Sequence, residues 1–380
     1  MKKIVLLGST GTIGENTLHV VRNRREDFTV AGLACLTRRA RLHEQIAEFH
    51  PRFAWFGRHT AEDCRRFPGT TFSSDPQFLT AMVTDRDVDV VVAAIPGIVS
   101  LDAVMGALVA GKTIALATKE IMVVAGDRVT AAARKHGGKI LPVDSEHNAI
   151  FQMLERVPRR EVRKVWLTAS GGPFLRRKNV RNVTVQDVLS HPVWRMGKKV
   201  TVDSATMMNK GFEIIEAHHL FSLPEEKIGV LIHPEAVVHG LVEFTNGVME
   251  ALLSPPDMKF AINVALHYPR RTSHSWGTLS LPEIGSLTFE HPRADAPWLR
   301  LARAAIREKG TFPVVLNGAN DEAVSLFLKE QIGFASIIPL VEETLEARRP
   351  AAVVSPEEIP VLDDWAHRAA REIARKKFQR

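Results

Sequence analysis

Apolar residues in the first third of the chain recur in short runs, separated by segments of helical periodicity. Lys3 to Leu7 reads as a buried strand, Glu15 to about Arg24 as a helix and Phe28 to Cys35 as a second strand. Further strands are predicted at Phe53 to Phe56, Val88 to Ala94, Thr113 to Ala117 and Lys139 to Val143. Helices lie between them, including Ile98 to Ala110 and Val124 to His136. The runs are near-continuous in valine and alanine rather than alternating, which fits a parallel sheet covered on both faces.

The pattern then changes. Val165 to Ala169 reads as one strand, and Val237 to Thr245 with Val248 to Leu253 flank Asn246-Gly247, a pair suited to the left-handed geometry of a tight hairpin. Residues from about Pro269 to Pro297 are rich in Thr, Ser, Gly and Pro and read as a surface connector. Helices are expected at Trp298 to Glu308, Asp321 to Gln331, Ile337 to Leu345 and Asp363 to Lys377. Asn317-Gly318-Ala319-Asn320-Asp321-Glu322 is dense in turn and cap residues and is expected to start a helix, with a catalytic role as the alternative.

Composition narrows the function. At 380 residues, 45% hydrophobic and 24% charged, the chain has apolar mass for more than one core. Its longest apolar run, Val90 to Val99, contains Pro96 and Gly97 and is too short to span a bilayer. Met1 to Leu7 leaves no room for a signal-peptide core before Gly8, and the two cysteines, Cys35 and Cys64, suit a reducing cytoplasm rather than a disulfide scaffold. The net charge of +7 is spread over 50 basic and 43 acidic residues without a nucleic-acid motif, so neither nucleic acid nor membrane is an expected partner. The basic stretch from Arg368 reads as a solvated helix face, and anionic small molecules remain plausible ligands.

The first strand runs directly into Gly8-Ser9-Thr10-Gly11-Thr12-Ile13-Gly14. Glycines there let the backbone turn sharply and approach a pyrophosphate, whose charge the amides at a helix start can meet. The alternative is a structural turn or another phosphate ligand; the absence of a P-loop lysine disfavours ATP. After the second strand an NAD site would offer Asp or Glu to the ribose hydroxyls, whereas this chain has Thr37-Arg38-Arg39. Guanidinium groups can pair with a 2′-phosphate, so NADPH is expected; the alternative is that the arginines only face water. Ala94, at a strand end, can contact ribose or nicotinamide, and tight packing would equally explain a small residue there.

Two carboxylate clusters follow. Asp144 and Glu146, at the end of the last sheet strand, can converge on one side of an extended stretch and offer hard oxygens to Mg2+ or Mn2+; caps, turns or a salt bridge are the alternative. In Asp203 to Ala217 a helix from about Met207 to Leu220 would place Glu213 and Glu216 on one face with Lys210 close behind. Ser204, Asn209 and Lys210 are donors suited to a phosphate, and Glu213 can add a third carboxylate; a surface helix with ion pairs is the alternative. Ser170 with Gly171 and Gly172 could receive an anion or form an ordinary turn. His191, Trp194 and Met196 lie on a segment that could close over a substrate or be structural. Met258 could cover a ligand or belong to the core.

Taken together, Gly8-Ser9-Thr10-Gly11 with Ile13-Gly14, Lys119-Glu120, Pro142 to Asn148, Ser170 to Phe174, His191-Pro192, Trp194, and Asp203 to Gly211 followed by Glu213 resemble the 1-deoxy-D-xylulose-5-phosphate reductoisomerase family over essentially the whole chain. The resemblance implies an α/β protein with an N-terminal Rossmann-like NADPH domain (1–143), a central α+β catalytic and dimerisation domain (144–272), a connector (273–296) and a C-terminal helical bundle (297–380), assembled as a homodimer. It implies NADPH and a divalent metal as cofactors, a phosphorylated sugar as substrate, and rearrangement followed by reduction to 2-C-methyl-D-erythritol 4-phosphate. By the same resemblance Asp144, Glu146 and Glu213 are metal ligands. Ser145, Glu146, Ser170, His191, Trp194, Met196, Ser204, Asn209, Lys210 and Glu213 contact substrate, and Lys119, Glu146 and His191 are catalytic. Gly8 through Gly14, Thr37, Arg38, Arg39, Ala94, Lys119, Glu120, Gly197 and Met258 face the cofactor. The chain departs from the family pattern at Leu36-Thr37-Arg38, where Gly-x-Asn is usual, and at Thr118-Lys119-Glu120-Ile121, where Asn-Lys-Glu-Ser is usual.

Overall fold

A computed structural model describes residues 1–175, 180, 182–190, 194, 196–352 and 354–378. They form two compact units: Met1–Ile121, Gly126–Gln152 and Asp257–Gly277 in the first, and Met122–Ala125, Met153–Pro256 and Thr278–Arg380 in the second. No described helix is long and apolar enough to cross a membrane.

The first unit is built on seven strands: β1 (Lys2–Leu7), β2 (Phe28–Cys35), β3 (Phe53–Phe56), β4 (Thr71–Ser73), β5 (Val90–Ala93), β6 (Thr113–Leu116) and β7 (Lys139–Pro142). All neighbours pair in parallel, in the order β4-β3-β2-β1-β5-β6-β7. The chain therefore builds outward from β1 in one direction, returns, and builds outward in the other. The crevice between the ends of β1 and β5 is the switch point at which such sheets bind ligands. Every residue of β5 is buried, as continuous burial on two covered faces requires.

Helix Met258–His267 belongs to this unit although it lies more than a hundred residues beyond β7. Ile262, Ala265 and Leu266 join a core with Ile4, Leu6, Leu18, Phe28, Leu141 and Val143. The Lys2 ammonium closes the helix by donating to the carbonyls of Leu266 and Tyr268, each at 2.9 Å, which places a cation against the negative helix end. Burial pushes the His267 imidazole below its ordinary value, against the Asn263 carbonyl and Asp27, which favour the charged form.

The second unit contains β8 (Val162–Ala169), β9 (Ile228–Ile232), β10 (Val238–Phe244) and β11 (Met249–Leu253), in the order β11-β10-β8-β9. β10 is antiparallel to both its neighbours and β8 runs parallel to β9. The hairpin between β10 and β11 differs from the expected two-residue turn. Gly247 donates to Phe244, Phe244 donates to Val248, and Gly247 alone is left-handed (φ 86°). That is a three-residue loop closed by a glycine bulge, in which Asn246 stays right-handed and accepts from the Val248 amide.

A second correction concerns Asn317 to Glu322. These residues do not start a helix; they occupy the middle of helix Thr311–Leu328, and Asn317, Asn320 and Glu322 are buried. Tertiary partners override their weak helix propensity. Asn317 donates to Asp363, Asn320 to Asp203, and Glu322 accepts from Arg371. Gly318 permits the contact: a Cβ there would come within 2.9 Å of the Asp363 carbonyl oxygen and of the Ala366 Cβ. The Pro313 ring is tolerated because it falls in the helix's first turn.

Candidate active site

The glycine turn follows β1 directly. Gly8 has φ 95°, and the amides of Gly8 and Ser9 both donate to the Ala34 carbonyl at 2.9 Å, tying the turn to the end of β2. A Cβ on Gly8 would stand 2.4 Å from the Ala94 carbonyl oxygen beyond β5, and one on Gly14 would stand 2.3 Å from the carbonyl oxygens of Gly8 and Ser9. One glycine is thus needed for the approach of two strands and the other for the seating of the helix. That helix, Thr12–Arg22, has Gly11 at its N-cap with no side-chain cap, so the amides of Thr12, Ile13 and Gly14 are its donors for an anion. Ser9 and Thr10 are buried, and the Thr10 hydroxyl lies 3.0 Å from the Cys35 sulfur.

Gln45 completes this turn and escapes any reading of the local sequence. Wholly buried, it donates to the Ser9 carbonyl at 3.0 Å and to Glu15 at 2.9 Å. It stands 36 residues from Ser9, and nothing in a lone glutamine on a helix announces that role.

Thr37, Arg38 and Arg39, which follow β2 and Leu36, part company. Thr37 and Arg38 are exposed, and the Arg38 guanidinium donates to the Thr10 carbonyl at 3.0 Å, which holds it beside the glycine turn. Arg39 instead makes two bonds, 2.9 and 2.7 Å, to buried Asp63. Burial opposes ionisation of Asp63, but hydrogen bonds from the Thr60 amide, Arg39 and His43 outweigh it and hold the carboxyl below its ordinary value.

Asp144 and Glu146 do not share an extended stretch as expected. Ser145 opens helix Ser145–Leu154, with the Asn148 amide donating to the Asp144 carbonyl at 2.8 Å. Glu146 therefore stands in the first turn of this helix rather than on an extended stretch with Asp144. Asp144 instead meets Lys119, the first residue of helix Lys119–His136, with the ammonium 2.5 Å from its carboxylate. A ring nitrogen of buried His147 and a carboxylate oxygen of Asp144 lie within 4.8 Å of each other, a further potential metal donor that the sequence reading left unassigned. Ser145 donates to Glu146 at 2.5 Å, and Glu120 is buried. The second departure from the family pattern is absorbed by packing: the Thr118 hydroxyl reaches the carbonyls of Ala93 (3.2 Å) and Ile95 (2.9 Å) on either side of Ala94, and Ile121 is wholly buried.

In the second unit, β8 ends at Ala169, and Ser170 leads into Gly171 (φ 86°) and Gly172 (φ 67°). A Cβ on Gly172 would lie 2.7 Å from the Ser204 carbonyl oxygen, so this loop rests directly on helix Lys198–Thr206. Met207 then takes a left-handed conformation (φ 64°) and joins that helix to Met208–Phe221, close to the expected span. Lys210, Glu213 and Glu216 are all buried. Ions removed from water must be paired, and both Asn209 and the Lys210 ammonium donate to the Glu213 carboxylate. Ser204, Asn209, Lys210 and Glu213 are thus gathered around one helix junction.

The Trp194 ring packs 6.2 Å from that of His239, Met196 is half-buried, and Gly197 is the N-cap of helix Lys198–Thr206. His191 lies outside the described residues. Met258, in the first unit, is partly buried against the core.

Within the first unit the carboxylate oxygens of Asp144 and Glu146 are of the hard kind that suits a divalent cation, as within the second are those of Glu213, and the ammonium groups beside Asp144 and Glu213 show that each carboxylate favours a positive charge. The glycine turn, closed to any side chain at Gly8 and Gly14, suits a dinucleotide.

Comparison with known proteins agrees with this reading. Residues 4–126 match the family model for 1-deoxy-D-xylulose 5-phosphate reductoisomerase, residues 140–221 that for its C-terminal domain, and residues 253–369 a further model of the DXP reductoisomerase C-terminal domain. The chain is 44% identical over 385 residues to the 1-deoxy-D-xylulose 5-phosphate reductoisomerase of Pelodictyon phaeoclathratiforme, covering 99% of each. It is 41% identical to that of Thermodesulfovibrio yellowstonii, covering 98% of this chain and 99% of the other. Among solved structures it resembles a DOX-P reductoisomerase in complex with NADPH, fosmidomycin and magnesium, at 37% identity and a TM-score of 0.90 over 99% of this chain and 100% of the other. The enzyme of Zymomonas mobilis in complex with NADPH gives 35% identity and a TM-score of 0.91 over 98% of each. With matched models spanning most of its length and relatives of this identity over nearly all of it, the chain belongs to the 1-deoxy-D-xylulose 5-phosphate reductoisomerase family.

Proposed function

We infer that this chain catalyses the NADPH- and divalent-metal-dependent rearrangement and reduction of 1-deoxy-D-xylulose 5-phosphate to 2-C-methyl-D-erythritol 4-phosphate, a step of non-mevalonate isoprenoid biosynthesis. The observation that carries this is the end-to-end likeness to solved reductoisomerases bound to NADPH and magnesium. When bound, NADPH supplies hydride and the cation supplies charge stabilisation for substrate oxygens.

The remaining tasks fall to side chains. Gly8, Ser9, Thr10, Gly11, Thr12, Ile13 and Gly14 would cradle the pyrophosphate, with Thr37 and Arg38 toward the 2′-phosphate and Ala94, Lys119, Glu120, Gly197 and Met258 toward the rest of the cofactor. Ser170, Ser204, Asn209 and Lys210 would hold the substrate phosphate, a role supported by the close approach of Gly172 to Ser204 and by the gathering of donors at the helix junction. Fixing one end of the molecule restricts the motion of the other, which favours an intramolecular rearrangement. Asp144 and Glu146 are proposed as ligands of the ion, with Glu213 as a third. Lys119 and Ser145 would contact substrate oxygens, and His191, Trp194 and Met196 would cover the substrate and exclude water. Arg39, engaged by Asp63, has a supporting role at the cofactor end. A homodimer in the cytoplasm completes the proposal, with functional domains at 1–143, 144–272 and 297–380, of which residues 144–152 and 257–272 pack within the first compact unit.

The test is a turnover assay with purified protein, NADPH and Mg2+ or Mn2+, following NADPH absorbance and determining product connectivity by carbon NMR on labelled substrate. A branched methyl-erythritol product is expected. An unrearranged straight-chain alcohol would reject reductoisomerase activity in favour of a simple dehydrogenase.

A further inference from the structure

We propose that Asn320 is a positioning residue for the substrate-phosphate segment, acting through Asp203 on Ser204. The inference rests on the reading of Ser204, Asn209 and Lys210 as the phosphate cradle.

Asn320 lies in mid-helix in Thr311–Leu328 and is fully buried. Its Nδ2 donates to Asp203 Oδ1 at 2.8 Å across 117 residues of sequence. The other oxygen of Asp203, itself 2% exposed, accepts from the Lys199 ammonium at 2.8 Å, and Lys199 also reaches Asp321 at 3.0 Å. One helix thus supplies a neutral donor directly to Asp203 and a carboxylate to the lysine that neutralises it. Such a buried carboxylate holds a fixed position because each of its oxygens is claimed from a defined direction.

That position is handed on to the site. Asp203 immediately precedes Ser204, whose carbonyl oxygen lies so near Gly172 that a Cβ there would stand 2.7 Å from it. The Thr206 hydroxyl donates to the Asp203 carbonyl at 3.1 Å and accepts from the Met208 amide at 3.3 Å. This spans the left-handed residue Met207 and sets where Asn209 and Lys210 begin. A side chain retained only to fill space would not be amide here. Asn320 Oδ1 is buried without a partner among the described residues, a cost that an apolar residue of similar size would avoid. What the amide adds is a directional bond to Asp203.

The test is a double-mutant cycle on the intact enzyme with Asn320→Ala, Ser204→Ala and the combination, scored by KM for 1-deoxy-D-xylulose 5-phosphate, KM for NADPH and kcat. Asn320→Ala is expected to raise the KM for the phosphorylated substrate about tenfold, leaving kcat and the KM for NADPH within about twofold. The double variant is expected to match the worse single variant, since both changes act on one contact. An unchanged substrate KM in Asn320→Ala, or losses that multiply in the double variant, would overturn the positioning role. If Ser204→Ala itself leaves the substrate KM unchanged, the phosphate-cradle reading falls, and the relay with it. Should Asn320→Ala fail to fold, Asn320→Leu, which keeps a similar volume but removes the donor to Asp203, enters the same cycle with the same expectations.

Discussion

The Lys119 ammonium lies 2.5 Å from a carboxylate oxygen of Asp144, joining the first residue of one helix to the residue just before another. This ammonium neutralises a carboxylate that we propose as a ligand of a divalent cation. The two positive charges compete for the same oxygen, and a like charge near a metal ligand weakens its grip. Replacing Lys119 by Met is therefore expected to tighten Mg2+ binding several-fold in a calorimetric titration, while lowering kcat by on the order of 100-fold through loss of a substrate-site donor. Unchanged or weaker Mg2+ affinity would show that Asp144 is not a ligand. Asp144→Asn, which removes the charge that both cations need, is expected to weaken Mg2+ binding.

The separation of Arg38 from Arg39 divides two effects that the sequence alone would merge. Arg38 faces solvent beside the glycine turn, whereas Arg39 compensates Asp63, which is 1% exposed. Arg38→Ala is expected to cut the preference for NADPH over NADH by about tenfold, the equivalent of one partly screened charge-assisted contact, with stability unchanged. Arg39→Ala is expected to leave cofactor preference nearly intact and to lower unfolding stability by about 1–3 kcal/mol, because a buried carboxylate loses its charged partner. Steady-state rates with both cofactors and urea unfolding of each variant decide the matter. Loss of NADPH preference in Arg39→Ala with none in Arg38→Ala would reverse the assignment.

Much of the first unit was legible because its strands are short, continuous apolar runs bounded by glycine and polar residues. Phe28–Cys35 and Phe53–Phe56 fall where the pattern put them. Helix Met258–His267 was not legible as part of that unit, since its place on the core depends on a return of the chain that periodicity does not encode. Asn317 to Glu322 misled for a related reason. Their side chains carry cap and turn preferences that apply to isolated peptides, and partners on other helices, Asp203, Asp363, His367 and Arg371, cancel them. At the site, the residue types were readable and their geometry was not. Asp-x-Glu looks the same whether the backbone is extended or, as here at Ser145, has turned into a helix.

Gly8 offers a test of the cofactor half that leaves the second unit untouched. Its φ of 95° is costly for any L side chain, and a methyl group would collide with the Ala94 carbonyl at 2.4 Å, backbone that cannot rotate away. Gly8→Ala is expected to weaken NADPH binding by at least tenfold in fluorescence titration. Gly97→Ala, also at positive φ (76°) but with nothing near its Cβ, is expected to cost only about 1 kcal/mol of stability and little affinity. Equal affinity losses in the two variants would mean that backbone conformation, not the approach of β1 to β5, limits the turn.

The C-terminal helix Glu358–Lys377 supplies the last prediction, which concerns pH. Hydrogen bonds to Asp363 and Glu322 push the His367 imidazole up to about 9, against burial. Burial likewise opposes ionisation of Glu322, yet bonds from His367 and Arg371 hold its carboxyl down at about 2. The two limits have opposite signs. A histidine raised from 6.5 stabilises the fold fully below that value, and its contribution fades as pH climbs through 9. A carboxyl depressed from 4.5 stabilises above that value and fades as pH falls toward 2. Together they predict greatest benefit between pH 4.5 and 6.5. Urea unfolding of wild type and His367→Gln, followed by far-ultraviolet circular dichroism, is expected to differ by on the order of 2 kcal/mol at pH 6 and to converge near pH 10. Arg371 stays charged throughout and keeps Glu322 paired with two bonds, at 2.8 and 3.0 Å, so the acid limb should survive in His367→Gln. A stability gap that stays constant from pH 6 to pH 10 would mean that His367 contributes packing rather than charge.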